Sequence, residues 1–143
     1  MAISQAICSS FKQQLFQGVH DFSVPGDTFY LSLYTSSASI DAATTIYTTA
    51  GEVSSAATNY PAGGGQLTSW GVTLTGTTAF LDFSDLTFPA VTLTARGCLI
   101  YNSTEADKAV AVFDFGSDKT ATDGDFTVIF PPPGPSTAVI RLV

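Results

Sequence analysis

Between Val91 and Val143 the chain breaks into short apolar runs separated by turn signals: VTLTARGCLIYN, STEAD, KAVAVFDF, GSDKTATDGD, FTVIF, PPPGP and STAVIRLV. Runs of this length, rich in β-branched and aromatic residues and bounded by Gly, Pro, Asp and Ser, read as strands. Repeated at short spacing with no helical pattern between them, they predict an antiparallel β-sandwich or jelly roll. Phe113 and Phe115 share one strand face, as do Phe126, Val128 and Phe130. Gly97 interrupts its strand and predicts a bulge or a close backbone approach. Asp123-Gly124 predicts a solvated hairpin turn within Ser117–Asp125. The stretch holds no histidine and one cysteine, Cys98. A shell built from it has little with which to do chemistry.

The N-terminal part adds one helix and further strands. Ile3, Ile7, Phe11, Leu15 and Val19 recur at four-residue spacing, and Phe16 widens the stripe. This predicts an amphipathic helix over 4–19, with Ser4 as N-cap and Gly18 near its end. A lone apolar stripe needs cover, so the helix reads as a lid on the β core; the other use is a helix offered to a partner. Pro25-Gly26 marks a turn. Thr28–Tyr34 then alternates, with Phe29, Leu31 and Leu33 on one face and Tyr30, Ser32 and Tyr34 on the other, the pattern of a half-buried strand. Residues 35–50 form a long polar loop with Ile46 and Tyr47 as anchors, either functional or held down by a neighbour. Residues 58–65 form a second loop. Trp70, Val72 and Leu74 share one face of the next strand; Gly76 begins a turn, and Ala79, Leu81 and Phe83 return facing inward as a hairpin. The expectation is a mainly β fold of about eight strands with one N-terminal helix, a single domain over 1–143 with its β core from 28 to 143.

At 143 residues, roughly 68–70% of the unfolded chain's surface can be buried, enough for a core without staples. Charged residues make up 12%, about half the usual share of roughly 25%. Thr, Ser, Ala and Gly fill the difference. Such a surface suits packing against neighbours, because Lys and Glu lose much rotamer entropy when ordered and are depleted at interface cores. It equally suits a small β protein whose polar faces use Thr. Formal net charge is −7, and the five basic residues, Lys12, Arg96, Lys108, Lys119 and Arg141, are scattered. With no basic stripe to neutralise phosphates, nucleic acid and anionic membranes are poor partners. The acidity instead keeps the chain soluble before assembly. Cys8 and Cys98 allow either one bridge or two buried thiols. The first residues lack a basic leader, and no run reaches the roughly 18 apolar residues of a membrane span. The expected setting is the cytoplasm, or the interior of something larger that leaves it.

Reactive constellations are sparse. His20 is the only histidine; beside Asp21, just after the predicted helix, it reads as a turn residue or helix C-terminal cap and not as part of a triad. Among the acids, Asp82 and Asp114 interrupt the apolar strands FLDF and VFDF. A solvated outer face explains both; a buried pair accepting backbone hydrogen bonds is the other reading. Asp118, Asp123 and Asp125 do not meet the spacing of a calcium loop. Gly63-Gly64-Gly65 lacks the Lys and hydroxyl of a phosphate loop, and the Asn102-Ser103-Thr104 sequon marks only a turn. Tyr30, Tyr34, Tyr47, Tyr60, Tyr101 and Trp70 offer stacking faces for sugars, yet aromatics are also the ordinary mass of β cores and interfaces. No catalytic, metal or cofactor set emerges, and an enzyme is not expected.

Four segments carry a resemblance: SSFKQQLFQGVHDF; TFYLSLYTSSAS; YTTAGEV with NYPAGGGQLT; and ARGCLIYNSTEADKAVAVFDFGSDKTATDGDFTVIFP with STAVIRL. Spanning nearly the whole chain, they resemble a family of small virion structural proteins of tailed bacteriophages, described variously as head decoration (cement) or tail-fibre proteins. The resemblance implies a scaffold without catalytic residues or cofactors. The proline-rich PPPGP departs from the family pattern and marks a contact loop particular to this chain. The expected function is a virion structural protein, assembled in the host cytoplasm, that decorates the head by binding across capsid subunits. The alternatives are a tail or neck component, or a receptor- or glycan-binding module of the tail. The partners implied are the major capsid protein or other virion proteins, together with copies of itself. Loop 35–50, loop 58–65 and the proline loop are the expected contact elements, with Ile46, Tyr47, Tyr60, Pro131, Pro132, Pro133 and Pro135 as contact residues.

Overall fold

A computed structural model describes residues 2–143. Their fold is mainly β: eight strands in two antiparallel sheets, and one short helix. In chain order these are β1 (Ala6–Ile7), α1 (Ser9–Phe16), β2 (Phe29–Tyr34), β3 (Gly65–Gln66), β4 (Ser69–Thr75), β5 (Thr78–Phe83), β6 (Leu86–Asn102), β7 (Lys108–Val128) and β8 (Ile140–Leu142). The larger sheet has the order β1-β7-β6-β2-β3 and the smaller one β4-β5-β8.

The spine is the β6–β7 hairpin, which pairs from Leu86↔Val128 to Asn102↔Lys108. Its turn is Ser103–Asp107, where Asn102 Oδ1 accepts the N–H groups of Thr104 and Glu105 at 3.1 and 3.2 Å. Asp123-Gly124 is therefore not a hairpin turn. β7 runs through it, and Gly124 pairs with Val91 where the register slips. Asp-Gly tolerates positive φ, and Asp123 lies at φ +47°; that tolerance serves a bulge as readily as a turn. Gly97 sits at a second slip, between Ala95 and Gly97, and a Cβ there would strike the Phe113 carbonyl oxygen at 2.5 Å. The predicted bulge and close approach are both present.

The helix is shorter than the sequence pattern suggests. Ile3 forms a parallel bridge to Ile40, and Ala6 and Ile7 pair with Val112 and Ala111. Cys8 is extended, so the helix begins at Ser9, and Gly18 at φ +68° follows its end. A spacing of four fits one strand face as well as one helix face, and tertiary pairing takes Ile3 and Ile7 into strand geometry. Phe11 is buried in the core, but Phe16 is 95% exposed and does not widen the buried stripe.

Strand β2 is buried on both faces, not half-buried: Phe29, Leu31 and Leu33 on one, Ser32 and Tyr34 on the other. Residues following β2 cover its second face, where the Tyr34 hydroxyl donates to the Thr48 carbonyl. A phenylalanine cluster joins the helix and both sheets. Phe22 stacks on Phe29 at 4.4 Å; Phe11 meets Phe22 at 5.9 Å; Phe83 of β5 meets Phe29 at 5.9 Å and Phe130 at 6.0 Å. Cutting any of these to Ala would cost about 3–5 kcal/mol. In β4 Trp70, Val72 and Leu74 are all exposed, but the one-residue bulge between Ser69 and Val72 takes Trp70 off the face that Val72 and Leu74 share; their hairpin partner β5 buries Leu81 and Phe83. Cys8 and Cys98 are both free thiols buried in the core.

Candidate functional site

All five tyrosines of the chain gather around one carboxylate or stack beside it. Glu52 bridges to Tyr34 of β2, which fixes its backbone against the larger sheet. Its Oε1 accepts from the Tyr60 hydroxyl and the Gly63 N–H, each at 2.8 Å, and its Oε2 accepts from the Tyr47 hydroxyl at 2.6 Å. The Tyr60 oxygen in turn accepts the Leu33 N–H at 2.9 Å. Tyr34 donates to the Thr48 carbonyl at 2.7 Å, and Tyr101 to the Gly63 carbonyl at 2.6 Å. The Tyr101 ring stacks on Tyr47 at 4.7 Å and on Tyr30 at 5.9 Å. Gly64 allows the loop to lie directly on β2, since a Cβ there would overlap the Leu31 carbonyl.

Chemically the cluster is a fastener. Burial pushes the phenols up, Tyr34 to about 12 and Tyr47, Tyr60 and Tyr101 higher still. They are protonated donors at neutral pH, and their hydrogens point at fixed acceptors. Loops 35–50 and 58–65 are thus locked onto the larger sheet. The surface they present is nearly free of charge: Ile46, Thr49, Ala50, Ser54, Ser55, Ala56, Ala57, Pro61 and Ala62 are exposed, and Asp41 is the one exposed acid between 35 and 65.

The seven expected contact residues do not form one site. Tyr60 is 1% exposed and serves the fastener, so it is unavailable to a partner; its hydroxyl finds both a donor and an acceptor inside the fold. Tyr47 is half-buried, and Ile46 is 53% exposed beside the Lys108 end of β7. Pro131, Pro132, Pro133 and Pro135 are exposed beyond the other end of that strand. Their loop is held by Thr137 Oγ1 donating to the Pro132 carbonyl at 2.6 Å and Arg141 donating to that of Pro135 at 3.2 Å. Pro131, Pro132 and Pro133 share a shallow groove of about 310 Å³ with Trp70, Asp85 and Phe130. Sequence reading missed Trp70 as a surface residue, because alternation reveals an apolar face without revealing what covers it.

His20 is held on both sides. Its Nδ1 accepts from Asn102 Nδ2 at 2.9 Å, so the proton sits on Nε2, which donates to Gln14 Oε1 at 2.8 Å. The second amide hydrogen of Asn102 goes to Asp27 Oδ2 at 2.8 Å. Burial lowers the imidazole pKa, with Asp27 opposing and Lys108 assisting. His20 therefore ties the chain after α1 to the start of the β6–β7 turn.

The two strand aspartates differ. Asp114 is part-exposed and pairs with Arg96 at 3.0 Å; hydrogen bonding to the Gly116 N–H and Arg96 lowers its pKa. Asp82 is 1% exposed, which overturns the solvated-face reading for this residue. Both faces of β5 are covered at this point, since Leu81, Asp82 and Phe83 are all buried. Its Oδ1 accepts the Phe83 N–H at 2.8 Å, and its Oδ2 has no partner. Desolvation raises its pKa. Asp123 and Asp125 stitch the bulge, accepting from Thr92 Oγ1 and the Ala90 N–H. Among the described residues no three His, Cys, Asp or Glu side chains gather within reach of a metal ion. Compared with known proteins, the chain matches no family model, no curated protein and no solved structure.

Proposed function

We propose that this protein is a structural component of a bacteriophage virion, a decoration or cement protein that binds across the seams between major capsid protein subunits. The observation that carries the reading is the tyrosine–Glu52 fastener, which holds a broad, nearly uncharged loop surface in place before any partner arrives. A preformed surface loses little entropy on docking, and a charge-poor one loses little solvation. Apolar and small polar groups around Ile46, Ala50 and Pro61 would then be buried in the seam. That burial opposes rupture of the shell by the packaged DNA. The two sheets act as a β-sandwich in this reading, closed by the cluster of Phe22, Phe29, Phe83 and Phe130. The same cluster keeps the loop platform rigid. The scattered basic residues leave no role for nucleic acid or membrane as partner. The protein assembles in the host cytoplasm and resides in the virion.

The test is the copy number relative to the major capsid protein in purified virions, by quantitative mass spectrometry. A ratio near one to one, or another simple fraction set by shell symmetry, is expected. A few per cent would overturn the head assignment in favour of tail or neck. On the same particles, Ile46→Asp is expected to weaken binding. If deletion of 131–135 weakens it instead, the docking face is the proline loop.

A further inference from the structure

The free strand edges of the two sheets are built differently. Beyond its short pairing with β1, the outer edge of β7 carries Asp114, Asp118, Lys119, Asp123 and Asp125 and is broken by positive φ at Gly116 and Asp123. Charges and bulges of this kind block edge-to-edge pairing. β8 is only three residues long, with Arg141 at its centre. β4 carries no such charges: from Ser69 to Leu81 there is no charged residue and no proline. The one bulge lies between Ser69 and Val72 and leaves Val72–Thr75 regular.

Register determines what that edge offers. Thr75↔Thr78 closes the β4–β5 hairpin, followed by Leu74↔Ala79, Thr73↔Phe80 and Val72↔Leu81. In an antiparallel ladder hydrogen-bonded and non-hydrogen-bonded pairs alternate. Closing pairs of two-residue hairpins are hydrogen-bonded, so Thr73 also faces β5, and Val72 and Leu74 aim their N–H and C=O outward. Among the described residues no backbone bond from a loop takes up these groups. Their side chains are 58% and 71% exposed, beside Trp70 at 62% and, on β8, Leu142 at 62%. Val72 and Leu142 line an apolar groove of about 150 Å³ whose far wall is Phe11 and Leu15 of α1.

We propose that β4 is a self-association edge: a second copy of this chain pairs its β4 antiparallel to this one about a two-fold axis at Thr73. Val72 then lies opposite the partner's Leu74, and the two small sheets become one sheet of six strands with a continuous apolar face. A second copy fits for two reasons. The segment is self-complementary in this register, with apolar pairs on one face and Thr73 against the partner's Thr73 on the other. It is a charge-free stretch of a chain with net charge −7, so like-charge repulsion between copies is least there. This assignment does not depend on the capsid reading, because it concerns the free protein.

Sedimentation equilibrium of the full chain from low to high micromolar concentration tests it. Wild type is expected to approach twice its 14.9 kDa mass. Leu74→Lys should weaken association by at least about tenfold, since a charge on the edge strand blocks pairing, with an unchanged circular dichroism spectrum. Thr73→Cys provides a second readout that does not depend on a destabilising charge. Residues opposed in a non-hydrogen-bonded pair have Cα atoms about 4.5 Å apart, within disulfide reach, so this variant should form an interchain disulfide in air. The native thiols are fully buried and do not compete. A wild-type chain that stays monomeric overturns the proposal, as does a dimer that Leu74→Lys leaves intact or that Thr73→Cys does not cross-link. Capsid binding by the same preparations is a separate measurement, and none of these outcomes decides it.

Discussion

Replacing Glu52 with Ala should loosen two loops at once. Three donors lose their acceptor: the Tyr60 hydroxyl, the Gly63 N–H and the Tyr47 hydroxyl. Tyr60 is fully buried, so its stranded hydrogen costs about 2–3 kcal/mol. Gly63 is half-buried and adds about 1 kcal/mol. Tyr47 is half-exposed and turns to water at little cost. Removing a partly buried carboxylate returns about 1 kcal/mol of desolvation, leaving a net loss of about 2–3 kcal/mol. Glu52→Gln separates hydrogen bonding from charge. Its amide oxygen keeps Tyr60 and Gly63, and its amide nitrogen donates to the Tyr47 oxygen, so it should cost only about 1 kcal/mol. Urea unfolding followed by Trp70 fluorescence reads both. With a slope of about 1.5–2 kcal/mol/M, Glu52→Ala should lower the midpoint by about 1–2 M and Glu52→Gln by about 0.5 M. Equal losses from the two variants, or a Glu52→Ala loss below about 1 kcal/mol, would refute the fastener.

Further outcomes follow from single residues. Because the folded state depresses the His20 pKa from 6.5, the unfolded chain takes up a proton first as pH falls. Stability present above pH 6.5 should therefore be lost as pH drops through the folded value, and His20→Gln should flatten that slope in urea titrations between pH 7 and 5. Asp82 is the reverse case. Its folded pKa is raised from 3.8, so its burial costs nothing at low pH, progressively more as pH rises from 3.8 to the folded value, and a constant amount above that. Asp82→Asn should stabilise by about 1 kcal/mol at pH 7, where a neutral group replaces a buried charge, and by nothing near pH 3; equal effects at both pH values would count against it. Burial pushes the Cys8 thiol up to about 11 and Cys98 higher. Both should resist maleimide at pH 7.5 in the native chain and react in urea; prompt native labelling would show that the core opens at that site.

Strands were legible wherever alternation met clear punctuation. The β4–β5 hairpin and the β6–β7 spine both appear, because period-two patterning and turn residues act locally. Two signals were ambiguous for physical reasons. Ile3 and Ile7 sit four apart, a spacing common to one helix face and one strand face, and only pairing with Ile40 and Ala111 decides between them. Asp123-Gly124 tolerates positive φ, and the long partner β6 turns that tolerance into a bulge. The Glu52 site was not legible at all. Its partners at 47, 60 and 63 share no motif with it and meet only because both loops lie on β2. The burial of Asp82 was hidden likewise, because alternation marks two faces of a strand without saying that both are covered.

The spine also has a kinetic meaning. β6 and β7 are joined by the five residues Ser103–Asp107, so their ladder can zip outward from that turn after closing a very short loop, an event on the microsecond scale. β2 must travel much farther along the chain to reach β6, pairing Phe29 with Asn102, and that closure costs more entropy before any contact rewards it. The expected order is hairpin first, then β2 and the loops it carries, with Glu52 engaging its tyrosines last. During synthesis the hairpin emerges after the N-terminal segments, so β2, the helix and both loops wait without a template until Val128 has been made. The charge-poor N-terminal half spends that interval exposed.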